Sequence, residues 1–414
     1  MSALDVAAAV ANSRRAPGER AHDWLLRHAA AYAGGEPAEA DLDTARALMR
    51  ELHRAGLLGV TWPTSAGGAG ASEDDERAIV AELSRYQLPL RPFRVGLGTV
   101  GPTIVDIGTE SQRARLCPGI LAGEHVWCQL FSEPEAGSDL AGLRARAVPV
   151  DGGYRVAGRK VWTSGAETAS HGALLARTDP DRSKHRGLTM LMLDMRQPGV
   201  TVSPLRDMSG RTHFNEVLLE DAFVPDDMVL GRPDDGWAVA SRMLQHERVA
   251  VARGVGRDGA ETRSVSFANV LRLHREHGDP RADVRADLVA LFVGEHLVDL
   301  LKLRMSQEAE AGMDLGARES MAKLLLGRQD IEAARSAVRI LGPTAVFDGG
   351  DADSRALILA VTSSPSLSIA GGTEEIQKNI VGERILGLPR EPSTQQGRTF
   401  REIIAEGRAI GGGN

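Results

Sequence analysis

The 414-residue chain is poor in cysteine, with two, and in aromatic residues, which make up 4% of it. Two thiols in a chain this long make no disulfide framework, and the spacing of Cys117 and Cys128 matches no zinc pattern, so both are expected as core or surface thiols. No stretch reaches the roughly 18 consecutive apolar residues that a spanning helix needs, which excludes a helical membrane span. Blocks of like charge are missing too. With a net charge of −7 and no basic stripe interleaved with aromatics, a nucleic-acid partner is not expected. The opening MSALDVAAAVANSRRAPGER carries Asp5 early and has no basic start before its short alanine-valine run, so it reads poorly as a secretory signal. A cytoplasmic address is the expectation. Repeats of fixed short period are absent, and only the terminal GGGN is of low complexity.

What remains is an ordinary globular composition, 42% hydrophobic and 25% charged, at a length that predicts two or three units packed into one body. In DLDTARALMRELHRAG, Asp41 or Asp43 caps a helix, Leu42, Ala45, Met49, Leu52 and Ala55 form its apolar stripe, and Gly56 stops it. Ser72 followed three residues later by Asp75 makes a near capping box before ERAIVAELSRY. From about residue 126 the period shortens. YRVAG, RKVW, GALLART, LTMLMLDM, VTVSPL and NEVLLEDAFVP are short, rich in Val, Leu and Thr, and bounded by Gly, Pro and Asp. Beyond about Gly231 helical periodicity returns, over roughly 236–257, 281–312, 317–341 and 374–386. Segregated blocks of this kind predict an α+β protein: a helical domain over 1–125, an antiparallel β domain over 126–230 and a helical domain over 231–414.

Four segments carry chemistry. WCQLFSEPEAGSDLAG, residues 127–142, holds a turn whose small and hydroxylated residues can aim backbone amides at an anion. GRKVWTSGAE sets the indole of Trp162 beside Thr163 and Ser164, although a lone strand tryptophan serves a core more often than a cofactor. Near the end, Gly371-Gly372-Thr373 leads into a helix beginning at about Glu374, which is either an ordinary glycine turn or an anion site at a helix N-terminus. In GWAVASRMLQHERVAVARG, residues 240, 244, 247 and 251 share one face, so Glu247 interrupts the stripe of Ala240, Leu244 and Val251. A carboxylate drawn into apolar surroundings has its pKa raised toward neutrality, as a general base requires, though such a residue can also be snorkelling or paired. Arg248 follows it but points about 100° away.

Together these segments resemble the acyl-CoA dehydrogenase family over nearly the whole length. The resemblance implies a C-terminal four-helix bundle and an FAD-dependent α,β-dehydrogenation of an acyl thioester, on coenzyme A or a carrier protein, to the trans-2-enoyl product. It implies that Phe131 and Ser132 contact the flavin pyrimidine edge, Ser138 the pyrophosphate or thioester region, Trp162 with Ser164 the ring and its N5 side, and Gly372 with Thr373 a flavin phosphate. Arg275 would reach the FAD of a neighbouring subunit. Many members carry their catalytic Glu where this chain has Gly371. The isovaleryl and long-chain branches instead place it in a Glu-Arg pair on the helix after the β domain, which aligns with Glu247-Arg248. Glu247 is therefore expected as the base, with Ser138, Leu244, Arg248 and Gly371 bordering the substrate. An electron-transfer flavoprotein as electron acceptor and a homotetramer built as a dimer of dimers are further implications. Glu135, where the family's loop usually has Gly, and Pro365, where Arg is common, depart from the pattern. Two rival readings follow: a flavin monooxygenase of the same fold, and a redox-silent subunit of a hetero-oligomer.

Overall fold

The computed structural model describes residues 16–33, 41–252, 266–277, 282–311, 313, 316–341, 352–393, 395 and 397–411. The first block is helical: α1 (Pro17–His28), α2 (Leu42–Arg54), α3 (Glu73–Leu83), α4 (Gly101–Ile107) and α5 (Glu110–Leu121). Of the two candidate caps for α2, Asp41 is the one used, accepting from Thr44 N, and Gly56 follows the helix at a φ of 69°. Ser72 and Asp75 form both halves of the capping box of α3. The buried face of α2 is Ala45, Leu48, Met49 and Leu52; Ala55 is exposed and drops out of the expected stripe.

Eight strands follow among the described residues: β1 (Trp127–Leu130), β2 (Arg146–Val150), β3 (Gly153–Ser164), β4 (His171–Arg177), β5 (Leu188–Asp194), β6 (Val200–Leu205), β7 (Phe214–Pro225) and β8 (Val229–Leu230). They form one sheet in the order β6-β7-β3-β2-β4-β5-β8, with β1 paired to β4. Most neighbours are antiparallel, as expected, but β1 runs parallel to β4 and β2 meets β4 in a parallel bridge, so the sheet is mixed. The physical reason is connection length. β1 reaches β4 only through the long excursion of β2 and β3, and a crossover of that size lets neighbouring strands run parallel, where a tight hairpin would reverse them.

The sheet's two faces bury different partners. Ala173, Leu175, Met190 and Met192 join the core shared with the N-terminal helices, while Cys128, Leu130, Leu174, Ala176, Leu191 and Leu193 fill the core on the opposite face. Both cysteines are buried and free, and burial pushes the Cys117 thiol up to about 12.

The last block comprises α6 (Gly236–Ala252), α7 (Phe267–His277), α8 (Ala282–Glu310), α9 (Glu319–Leu341), α10 (Ala352–Leu367), α11 (Glu374–Arg384) and α12 (Phe400–Gly411). Helix α9 packs against α6, α7, α8, α10 and α11. Periodicity located α6, α8, α9 and α11; residues 253–257 of the expected first helix lie outside the described residues, as does the side chain of Val251. Pro365 falls inside α10, near its end. No helix among the described residues is long and apolar enough to cross a membrane. Helix α6 bridges the blocks: Val239, Ala240 and Met243 enter the core shared by the N-terminal helices and the inner face of the sheet.

Candidate active site

The carboxyl of Glu247 occupies the place where three elements meet. Its helix, α6, is docked through Val239, Ala240 and Met243, and Leu244 packs at the margin of the same core. The residue as a whole is half-buried, yet desolvation of the carboxyl dominates its surroundings and raises its pKa above the ordinary carboxylate range. A hydrogen bond with the side chain of Gln129 and the charge of Arg248 oppose that rise. From the third side comes the glycine turn before α11. A Cβ built on Gly371 would lie 4.0 Å from Glu247 Oε1, so the carboxylate stands beside the position that has no side chain of its own.

That turn has a fixed shape. Gly371 and Gly372 have φ values of 66° and 96°, left-handed backbone that glycine adopts at little cost. Buried Gln377 donates through Nε2 to the carbonyl of Gly371 at 2.8 Å, and Lys323 Nζ donates to that of Gly372 at 2.5 Å. Thr373 caps α11 by accepting from Ile376 N, and Glu374 N donates to Ser368 O at 3.2 Å. Arg248 lies 3.9 Å from Glu319 at the start of α9, and that carboxylate and Glu247 both act on its charge. Burial lowers the pKa of Arg248, and Glu319 does most to raise it back.

The turn of residues 131–139 is built on an ion pair that the sequence did not advertise. Lys160 on β3 is fully buried and donates to Phe131 O at 3.0 Å, Leu175 O at 2.9 Å and Glu133 Oε1 at 2.8 Å. Glu133 in turn accepts from the amides of Arg144 and Ala145 at 2.6 and 2.9 Å. Ser132 O accepts from Val161 N at 2.9 Å, tying the turn to β3 next to Trp162. Phe131 is buried, Ser132 half-buried, and Ser138 and Glu135 exposed on the turn.

Trp162 departs from strand geometry. The register of β3 against β7 shifts between Lys160 and Thr163, so Val161 and Trp162 together oppose Glu216, and Trp162 takes a φ of 58°. Such backbone costs a bulky residue about 1–2 kcal/mol. The strained bulge turns the indole outward, 54% exposed, with Phe214 against its edge at 5.6 Å. This is an exposed aromatic face, and the core alternative for Trp162 is set aside. Ser164 is exposed two residues on, and neither its hydroxyl nor that of Ser132 is engaged by another described residue. An outward indole flanked by free hydroxyl groups fits a flat heteroaromatic ring with polar edges.

Family models cover most of the chain: acyl-CoA dehydrogenase N-terminal domain over 15–124, middle domain over 128–222 and C-terminal domain over 234–386. The chain belongs to the acyl-CoA dehydrogenase family. As an acyl-CoA dehydrogenase it is an oxidoreductase acting on CH–CH bonds, with FAD as its cofactor. It is 40% identical over 338 residues to acyl-CoA dehydrogenase FadE34 of Mycobacterium tuberculosis, matching 81% of this chain and 45% of that protein, so it spans about half of that relative's length. It is 33% identical over 361 residues to acyl-CoA dehydrogenase IpdE1 of Mycolicibacterium smegmatis, covering 84% and 88% of the two chains. Among solved structures, the Tcur3481-Tcur3483 steroid ACAD is similar at a TM-score of 0.72 and 29% identity, over 92% of this chain and 96% of that one.

Glu247, Leu244 and Arg248 thus lie together on α6 with Gly371 beside the carboxyl, and Phe131, Ser132, Trp162 and Ser164 gather at the β3 bulge. Arg275 is not among them: it stands exposed on α7, a helix packed on α8 and α9. Sequence reading missed Gln129, whose strand alternation assigns it a face but no partner. It also missed Lys160, Glu133 and Lys323, which shape backbone through contacts distant in sequence.

Proposed function

We propose that this acyl-CoA dehydrogenase removes the α and β hydrogens of an acyl-CoA to give the trans-2-enoyl thioester, with Glu247 as the base. The observation that carries this reading is the partly desolvated Glu247 carboxyl standing beside side-chain-less Gly371. A proton α to a thioester is weakly acidic, so its removal needs a base whose pKa has been lifted toward neutrality, and desolvation does that for Glu247. The carboxylate takes the proton from Cα and, being only moderately basic, releases it afterward. Bound FAD supplies the acceptor for the β-hydrogen, which leaves as hydride. Trp162 would hold the flavin ring by its exposed face, with the hydroxyls of Ser132 and Ser164 and the backbone of Phe131 at its polar edges. Ser138 would face the pyrophosphate or thioester, Gly372 and Thr373 a flavin phosphate, and Arg275 the FAD of a neighbouring subunit.

On the acyl side stand Leu244, Arg248 and Gly371. Because Gly371 has no side chain, the pocket is read as accepting branching or bulk near the reacting carbons, and the likeness to a steroid ACAD points the same way. Reduced enzyme would pass its electrons to an electron-transfer flavoprotein. The exposed apolar residues Val289, Phe292, Val293, Leu297, Leu300 and Leu303 on α8 support assembly, for which a homotetramer is the reading. Native mass measurement of the protein expressed alone checks it against an assembly that needs a second, different chain.

The deciding experiment is anaerobic mixing of the yellow protein with a panel of acyl-CoA and acyl-carrier thioesters. Glu247→Gln should keep FAD yet slow flavin reduction by about 10² to 10⁴-fold. Near-normal reduction by that variant removes Glu247 from the role, and a strict preference for short straight chains removes the bulky-substrate reading.

A further inference from the structure

Helix α6 alone does not fix the Glu247 carboxyl. The residue lies in the last turns of α6, and the polar side chain that bonds to it comes from β1, more than a hundred residues earlier. Strand alternation explains why Gln129 is available. Cys128 and Leu130 point into the outer core, so Trp127 and Gln129 point the other way, where Trp127 enters the core that also receives α6. The strand's register is pinned by its parallel pairing, Gln129 opposite Ala173, with Leu130 fully buried beside it. Gln129 is therefore a polar side chain on a rigid strand, aimed at the helix that carries the base.

Resting on the assignment of Glu247 as base, we infer that Gln129 is a positioning residue for it, holding the carboxyl in one orientation through both halves of the proton transfer. The chemistry of the amide suits that task. Its NH₂ donates to the ionised carboxylate, and its carbonyl accepts from the carboxylic acid once Glu247 has taken the proton, so the contact survives the change in charge. A lysine or arginine at position 129 would favour only the ionised form and depress the basicity that desolvation provides. An apolar residue would leave the carboxyl without a neutral partner.

The charged groups around Glu247 leave this role to the amide. On α6 itself, Arg248 is shared between Glu319 of α9 and Glu247, with Arg384 of α11 also acting on it. His246 and Arg242 both bond to Asp106 of α4. On α9, Lys323 is held by the carbonyls of Ser368 and Gly372. The turn at Gly371 brings no side chain.

The test is Gln129→Met, similar in length and without a donor, measured beside Glu247→Gln. In wild-type protein the rate of flavin reduction by acyl-CoA should rise with pH as Glu247 ionises. In Gln129→Met that limb should move up by about one pH unit, the effect of losing one hydrogen bond to a charged group, while the rate at the alkaline plateau stays within about threefold of wild type. Infrared difference titration of the carboxyl band that disappears in Glu247→Gln should show the same displacement without turnover. Gln129→Glu should displace the limb further, since a second acid shares the site. An unmoved limb and unmoved carboxyl band in Gln129→Met overturn the inference, whether or not the rate falls. If Glu247→Gln itself reduces flavin normally, the base assignment has failed instead, and the two failures are distinguished.

Discussion

Lys160→Met probes how the turn of residues 131–139 is built. The ammonium has no solvent exposure and donates to two carbonyls, Phe131 and Leu175, and to the carboxylate of Glu133, itself held by two amides. Burial lowers the lysine's pKa, and Glu133 does most to raise it back, so each charge depends on the other. Removing one partner of such a pair costs about 3–5 kcal/mol, because the remaining charge stays buried and unmatched. A surface pair such as Arg54 with Glu51 contributes only about 0–1 kcal/mol. Methionine fills most of the lysine stem's volume, so cavity formation adds little.

The assay is urea unfolding of FAD-stripped protein, so that cofactor binding does not mask the change. Lys160→Met should lower the unfolding midpoint clearly, and Arg54→Met should leave it nearly where it was. Adding Glu133→Gln to Lys160→Met should recover part of the loss, giving a coupling well above the roughly 0.5 kcal/mol scatter expected of independent sites. Reconstituted Lys160→Met should also retain FAD poorly, since Phe131 O loses its donor. A midpoint indistinguishable from that of Arg54→Met, or purely additive effects of the two substitutions, would refute the argument.

Trp162→Gly should be more stable than Trp162→Ala by about 1 kcal/mol, the reverse of the usual order in a strand, because only glycine relieves the φ of 58°. Both should bind FAD weakly; an alanine variant at least as stable as the glycine one would show that the bulge is unstrained. His171, stacked on Trp127 and next to His125, has its pKa lowered by burial to about 4. Its folded value lies below the unfolded one of about 6.5, so the unfolded chain binds more protons in that window and stability falls as pH drops from about 6.5 toward 4. His171→Phe keeps the stacking and should flatten the fall; parallel melting curves for the two proteins across that range would dismiss His171 as its source.

The legible parts of the molecule were those written in local pattern. The cap at Asp41, the box at Ser72 and Asp75, the change of period near residue 126 and the return of helices after Gly231 are set by neighbours within a few residues. Glu247 was legible for the same reason, as a carboxylate breaking an apolar face. The parallel run of β1 beside β4 was not, since alternation reveals faces and says nothing of strand direction. Nor was the pose of Trp162, which depends on a one-residue slip against β7 that no local preference of Val161-Trp162-Thr163 announces. Gln129 and Lys160 read as unremarkable strand residues because their partners, Glu247 and the carbonyls of Phe131 and Leu175, become neighbours only when the sheet and α6 are assembled.

The site's asymmetry follows from where rigid supports lie. A base at position 371 would sit on left-handed backbone that penalises any side chain by about 1–2 kcal/mol, on a turn held from outside by Gln377 and Lys323. A carboxylate at 247 sits on regular helix, whose preceding turns are anchored in the core through Val239, Ala240 and Met243, and meets a partner fixed on β1. Because a Cβ at 371 would lie only 4.0 Å from Glu247 Oε1, carboxylates at both positions would crowd one space, and like charges so close cannot both ionise at neutral pH. Glycine at 371 and glutamate at 247 are therefore two halves of one arrangement: the turn gives up its side chain, and the helix supplies the carboxyl that reaches the vacated space.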